Sequence, residues 1–282
     1  MKKVIINADD FGLCRGVNEG IVLAHQKGIL TSTTLMANMP AFDHAVELAK
    51  QNKKLGVGIH LNIVRGKPLS PEDRVLSLLN KDKKFFSSLF ILMKRILSRR
   101  INQQEIELEF RAQIEKILEN NLQISHFDSE KHIHCLSSLL KIVLKLGKEY
   151  NIKRIRYINE YCLSPRLFQS AKAFFASLSC SSMKQRIIED GIFMPDKSYG
   201  ICKSGRMSSQ RIKKILSNLK DGVTEIITHP GFMTKELLDL EKEIGSYYIN
   251  RYREKELNAL LDKGLKQIIR DKEISLINFN QL

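Results

Sequence analysis

Four separated groups of acids and imidazoles stand out in the sequence: Asp9-Asp10, His60, the run from Asp128 to His134, and His229. Carboxylate oxygens with imidazole nitrogens, and no thiolate among them, suit a hard or borderline divalent ion. Magnesium is the first choice and zinc the alternative. Such an ion supports hydrolysis, because it acidifies water and stabilises an oxyanion. Each group alone has an ordinary reading. His60 could be a satisfied structural histidine, His132 and His134 could precede a helix, and His229-Pro230-Gly231 could be a turn. The Asp-Asp pair also suits a phospho-receiver domain, but that chemistry wants an aspartate after the third strand, where His60 stands. The four groups together point to one site.

Positioning them falls to the elements that precede them. Val4-Ile5-Ile6 is a short β-branched run without alternation, as expected of a parallel strand buried on both faces. Further strands are predicted over 32–37, 55–63, 123–127, 154–158, 225–228 and 274–279. Helices are predicted over 17–27, 41–51, 102–120, 136–150, 165–178, 208–219 and 251–262. Strands alternating with helices predict an α/β fold, an irregular (β/α) barrel. Asp9, Asp10, His60, the Asp128–His134 run and His229 then all sit at downstream strand ends, where such barrels build active sites. No linker or repeat divides the chain. It reads as one domain over 1–282, with a helical insertion around 81–120 and a variable segment around 162–207 that carries no motif.

The combination resembles the YdjC-like carbohydrate deacetylases. The residues that carry it are Asn7-Ala8-Asp9-Asp10-Phe11-Gly12, Thr31-Ser32-Thr33-Thr34, Gly58-Ile59-His60-Leu61-Asn62, His126-Phe127-Asp128-Ser129-Glu130-Lys131-His132-Ile133-His134 and Thr228-His229-Pro230-Gly231. The resemblance implies an irregular (β/α) barrel that removes N-acetyl groups from amino sugars, oligosaccharide or glycolipid, with a divalent metal. It assigns Asp10 and His60 to the metal and Asp9 to the role of base. The family's next ligand is the first histidine of Asp-Ser-His-x-His-x-His. Here that position is Glu130, which can bind magnesium or zinc through oxygen; ligation by His132 or His134 instead, or an impaired site, are the alternatives. His229 would protonate the leaving amine, and Asp128 would hold a ligand histidine's second nitrogen. Arg156 either orients Asp9, binds sugar hydroxyls or makes a surface salt bridge. The rival functions are a metal-dependent phosphodiesterase and a non-catalytic sugar- or lipid-binding protein.

The chain has 282 residues, 43% of them hydrophobic, enough for a large core. Its balance, 46 Lys+Arg against 31 Asp+Glu, is +15. The cations are dispersed and no nucleic-acid-binding signature appears, so no nucleic acid is expected as a partner. The five cysteines are widely spaced without a C-x-x-C, which argues against a disulfide framework and for a reducing cytoplasm. The first residues do not form a secretory leader, and no apolar run is long enough to span a bilayer. Phe85 to Arg100 is distinctive, with nine of the thirteen residues from Phe85 to Leu97 apolar and basic residues following. It suits a buried capping helix, peripheral contact with an anionic membrane, or a subunit contact in a homo-oligomer.

Overall fold

The computed structural model describes residues 1–160, 177–202, 204–240 and 252–282. Its centre is a parallel sheet in the order β4-β3-β2-β1-β6-β5. The strands are β1 (Lys2–Phe11), β2 (Ser32–Leu35), β3 (Gly56–Leu61), β4 (Phe127–Ser129), β5 (Lys197–Tyr199) and β6 (Gly222–Thr228), with the short β7 (Ser275–Leu276) beside the start of β1. β1 is buried from Val4 onward and β3 throughout, which explains the apolar stretch Val4-Ile5-Ile6 without alternation. The regular strands curl into a half-barrel. Two isolated parallel bridges, Phe127↔Ile155 and Arg154↔Phe193, carry the pairing on from β4 toward the residues just before β5. The irregular barrel read from the sequence is thus the fold observed.

Helices α1 (Arg15–Lys27), α2 (Phe42–Gln51), α3 (Leu89–Leu97), α4 (Gln103–Glu119), α5 (Ser137–Glu149), α6 (Lys184–Glu189), α7 (Ser209–Ser217), α8 (Lys235–Asp239), α9 (Tyr252–Leu260) and α10 (Lys263–Asp271) accompany the sheet. In α5 the buried positions Leu139, Leu140, Val143 and Leu146 repeat at helical spacing and turn one face to the core. Between β3 and β4 lie α3 and α4.

The strands differ from expectation in two places. The strand expected over 154–158 survives only as two bridging residues, because its neighbours offer single contacts rather than a ladder. The segment 162–207 contains β5, which has no apolar pattern to betray it and is recruited by pairing with β6. The helix expected over 165–178 falls largely outside the described residues. Cys14, Cys135 and Cys180 are buried, whereas Cys202 is disulfide-bonded. Wide spacing argues against a framework of bridges but not against one bridge closed by folding. No helix among the described residues is long and apolar enough to cross a membrane.

Candidate active site

Asp9 and Asp10 lie near the end of β1, and Asp10 takes a left-handed backbone, φ 71°. An L-residue pays on the order of 1 kcal/mol for that region, a cost concentrated at functional sites. His60 is the penultimate residue of β3, opposite Asp128 in the β3–β4 register. Glu130 follows β4, and the two residues after it, Lys131 and His132, are also left-handed.

One donor atom each from Asp10, His60 and Glu130 lies within 4.8 Å of the others, and all three residues are buried. His60 Nε2 stands 3.5 Å from Glu130 Oε2. Donors bound to one small divalent ion at about 2.1 Å are themselves roughly 3–3.5 Å apart, so the His60–Glu130 pair has a fitting separation. Each donor also has an orienting partner. His60 Nδ1 binds Asp128 Oδ1 at 2.7 Å, leaving Nε2 to face the carboxylates. Arg65 Nε donates to Glu130 Oε1 at 3.2 Å, and Arg253 Nη2 donates to Asp10 Oδ2. The donor set, two carboxylates and an imidazole without a thiol, suits magnesium or zinc. Asp9, His60 and Asp128 also converge. Their atoms are engaged with one another and with Arg156 and Thr34, which marks a hydrogen-bond network rather than a second cradle.

Arg156 is fully buried and joins three carboxylates. It binds both oxygens of Asp9 at 2.9 and 2.7 Å, Asp128 Oδ2 at 2.6 Å and Glu225 Oε1 at 2.8 Å. Of its three readings, the surface salt bridge is excluded by burial, and orientation of Asp9 is what the contacts show. Burial alone would lift the Asp9 carboxyl. The charge and hydrogen bonds of Arg156 overcome that and hold it far below the usual carboxylate range. Burial disfavours a charged His60, but the charge and bond of Asp128, then Glu130 and Asp9, hold its pKa well above the ordinary 6.5. Glu130 is opposed by burial yet drawn well down, chiefly by Arg65 and His60. Glu225 is the exception: burial pushes it up to about 7 despite Arg156.

His229 follows β6 and points Nε2 at Asp9 Oδ2, 3.9 Å away. Its side chain keeps 16% exposure and that of Lys131 17%, against 4% or less for Asp9, Asp10, His60 and Glu130, so the site opens on their side. Glu256 accepts the His229 backbone N–H and lies 3.9 Å from its Nδ1. One helix, α9, therefore supplies Arg253 to Asp10 and Glu256 to His229. His134 is not one of the converging donors. Its Nδ1 binds Ser129 Oγ at 2.6 Å, and burial followed by the charge of Arg156 lowers its pKa to about 3, so it is a neutral strut. His132 stands edge-on to His134. Among the described residues, neither belongs to a group that could hold an ion.

Arg65, Arg253, Glu225, Glu256 and Thr34 were invisible as site residues in the sequence. Thr34 lay within a recognised motif. The two arginines and two glutamates carry no local signal, because only the fold brings them to the rim.

Comparison with known proteins agrees with the geometry. A family model described as YdjC-like protein matches residues 3–271. A carbohydrate deacetylase of Brevibacillus brevis is 36% identical, with 99% of each chain covered. One of Clostridium beijerinckii is 34% identical over 99% of this chain and 100% of its own. One of Thermoanaerobacter pseudethanolicus is 32% identical over the full length of both. A crystal structure from Enterococcus faecalis V583, provisionally named for cellobiose-phosphate cleavage, superposes with a TM-score of 0.78 at 27% identity. It covers 99% of this chain and 98% of that one.

Proposed function

The chain belongs to the YdjC-like family, and from that membership we propose that it is a metal-dependent hydrolase removing an N-acetyl group from an acetylated amino sugar. The observation that carries the reading is the placement of Asp9, held on both oxygens by Arg156, beside the Asp10–His60–Glu130 donors and 3.9 Å from His229. The relatives' name, carbohydrate deacetylase, supports the substrate class.

Asp10, His60 and Glu130 are the proposed ligands, with magnesium the preferred ion and zinc the alternative. The ion when bound supplies Lewis acidity, which lowers the pKa of water from 15.7 toward roughly 7–9 and polarises a carbonyl oxygen. Asp9 takes the proton of the attacking water. Arg156 keeps Asp9 ionised and aimed, and Asp128 fixes the His60 tautomer. His229, on the solvent side, hands a proton to the departing amine, with Glu256 setting the backbone position of that histidine.

The test is acetate release from N-acetylglucosamine oligomers, with and without chelation and with magnesium or zinc restored. Acetate that vanishes on chelation and returns with the ion is expected. Absence of acetate together with hydrolysis of bis-nitrophenyl phosphate would move the chain to the phosphodiesterases.

A further inference from the structure

We propose that α3 (Leu89–Leu97) and the turn after it dock on an anionic phospholipid surface. A buried capping helix, one of the readings open from the sequence, would put Phe90 and Leu97 in the core. The structure does the opposite: Leu92 is fully buried, while Phe90 is 77%, Leu97 78% and Ile91 44% exposed. These three share one face with Lys94 and Ser98, at the spacing i, i+1, i+4, i+7, i+8. Residues 83–104 hold six Lys or Arg and no Asp or Glu. Among the described residues, Lys94, Arg99 and Arg100 have no carboxylate partner, whereas Lys83 is paired with Glu72 and Arg95 lies over Phe86.

A convex apolar ridge flanked by cations matches the boundary between lipid headgroups and acyl chains, which an interfacial helix enters by about 5–10 Å. A second copy of this chain fits poorly, because a two-fold contact sets the patch against itself and brings like charges together. A protein partner needs on the order of 800 Å² per side, more than a ridge of three side chains offers. The docking element is fastened near the catalytic rim. Phe85, buried, donates its backbone N–H to Gly66 O, next to the Arg65 that grips Glu130. A docked chain therefore presents that rim close to the membrane.

The test is co-sedimentation of the full chain with phosphatidylglycerol–phosphatidylcholine vesicles. Pelleting is expected at low salt and release at high salt. Replacing Lys94, Arg99 and Arg100 with Gln should weaken partitioning about fivefold for each charge removed. Phe90→Glu with Leu97→Glu should abolish it with an unchanged melting temperature. The chain contains no tryptophan, so Phe90→Trp gives a single reporter whose emission should shift to the blue on anionic vesicles. No pelleting at low salt overturns the proposal. So does pelleting indifferent to the Glu pair, equal pelleting with phosphatidylcholine alone, or an indole emission of the Phe90→Trp variant that stays put. Concentration-dependent dimers dispersed by the same Glu pair, without lipid binding, would assign the ridge to self-association. None of these readouts depends on catalysis.

Discussion

With both oxygens of Asp9 held by Arg156, the carboxylate stays ionised at any working pH but is a weak base. Its contribution is position, which proton transfer within hydrogen-bond reach rewards. Asp9→Asn should lower acetate release by about 10²–10⁴-fold while calorimetry shows divalent-ion affinity preserved. Near-normal turnover would remove Asp9 from proton transfer. His60 gives a second expectation. Its raised pKa means that the ion-free site carries a proton on the ring at neutral pH. An ion needs the neutral imidazole, so binding at pH 7 should release about one proton per ion. Calorimetry in two buffers of different ionisation enthalpy measures this, and a buffer-independent heat would show that the His60 ring is already neutral before an ion binds. The sign also requires ion affinity to fall as pH drops. The residue types at Asp9, Asp10, His60, Glu130 and His229 were legible in the sequence. Of their orienting partners, Asp128 and Arg156 were named from the sequence, whereas Arg65 and Arg253 were not, because an arginine looks the same in sequence whether it faces water or a carboxylate.

Among the elements, α1 and the loop after β6 are packed backbone to backbone. A Cβ placed on Gly20 would lie 2.6 Å from Gly231 Cα, and no flexible side chain is there to yield. Gly20→Ala should therefore displace His229-Pro230-Gly231, at a cost of about 1–3 kcal/mol in stability. Acetate release should drop while ion affinity at Asp10 and Glu130 is kept, and loss of both would show that the disturbance spreads through β1. Strands β1, β3 and β6 were legible from short apolar stretches such as Val4-Ile5-Ile6 and Ile226-Ile227, and β2 from its β-branched threonines, Thr33 and Thr34. β5 was not, since Lys197-Ser198-Tyr199 takes strand form only by pairing with β6. In α3 the composition announced an unusual helix, but only the packing of Phe85 and Leu92 decides which face is left to solvent.

At the scale of the whole molecule, the barrel interior encloses more carboxylates than it can keep charged without cost. Glu225 is the clearest case: fully buried, with Oε2 unpartnered among the described residues, it is pushed up from 4.5 to about 7. A carboxyl whose pKa is higher folded than unfolded holds its proton longer in the folded chain, so stability falls as pH rises from about 4.5 to 7 and levels off above that. The full penalty is on the order of 3 kcal/mol. Glu225→Gln should flatten that slope in denaturant melts, and identical slopes would show that Glu225 does not titrate there. The helix α9 has a consequence of its own. Arg253 and Glu256 sit less than one turn apart on it, one hand on Asp10 and the other on His229. A one-residue shift in the register of that helix would swing both hands off their targets by about 100°. Cation grip and amine protonation would then fail in one stroke, so register changes at this point should leave either an intact catalyst or none.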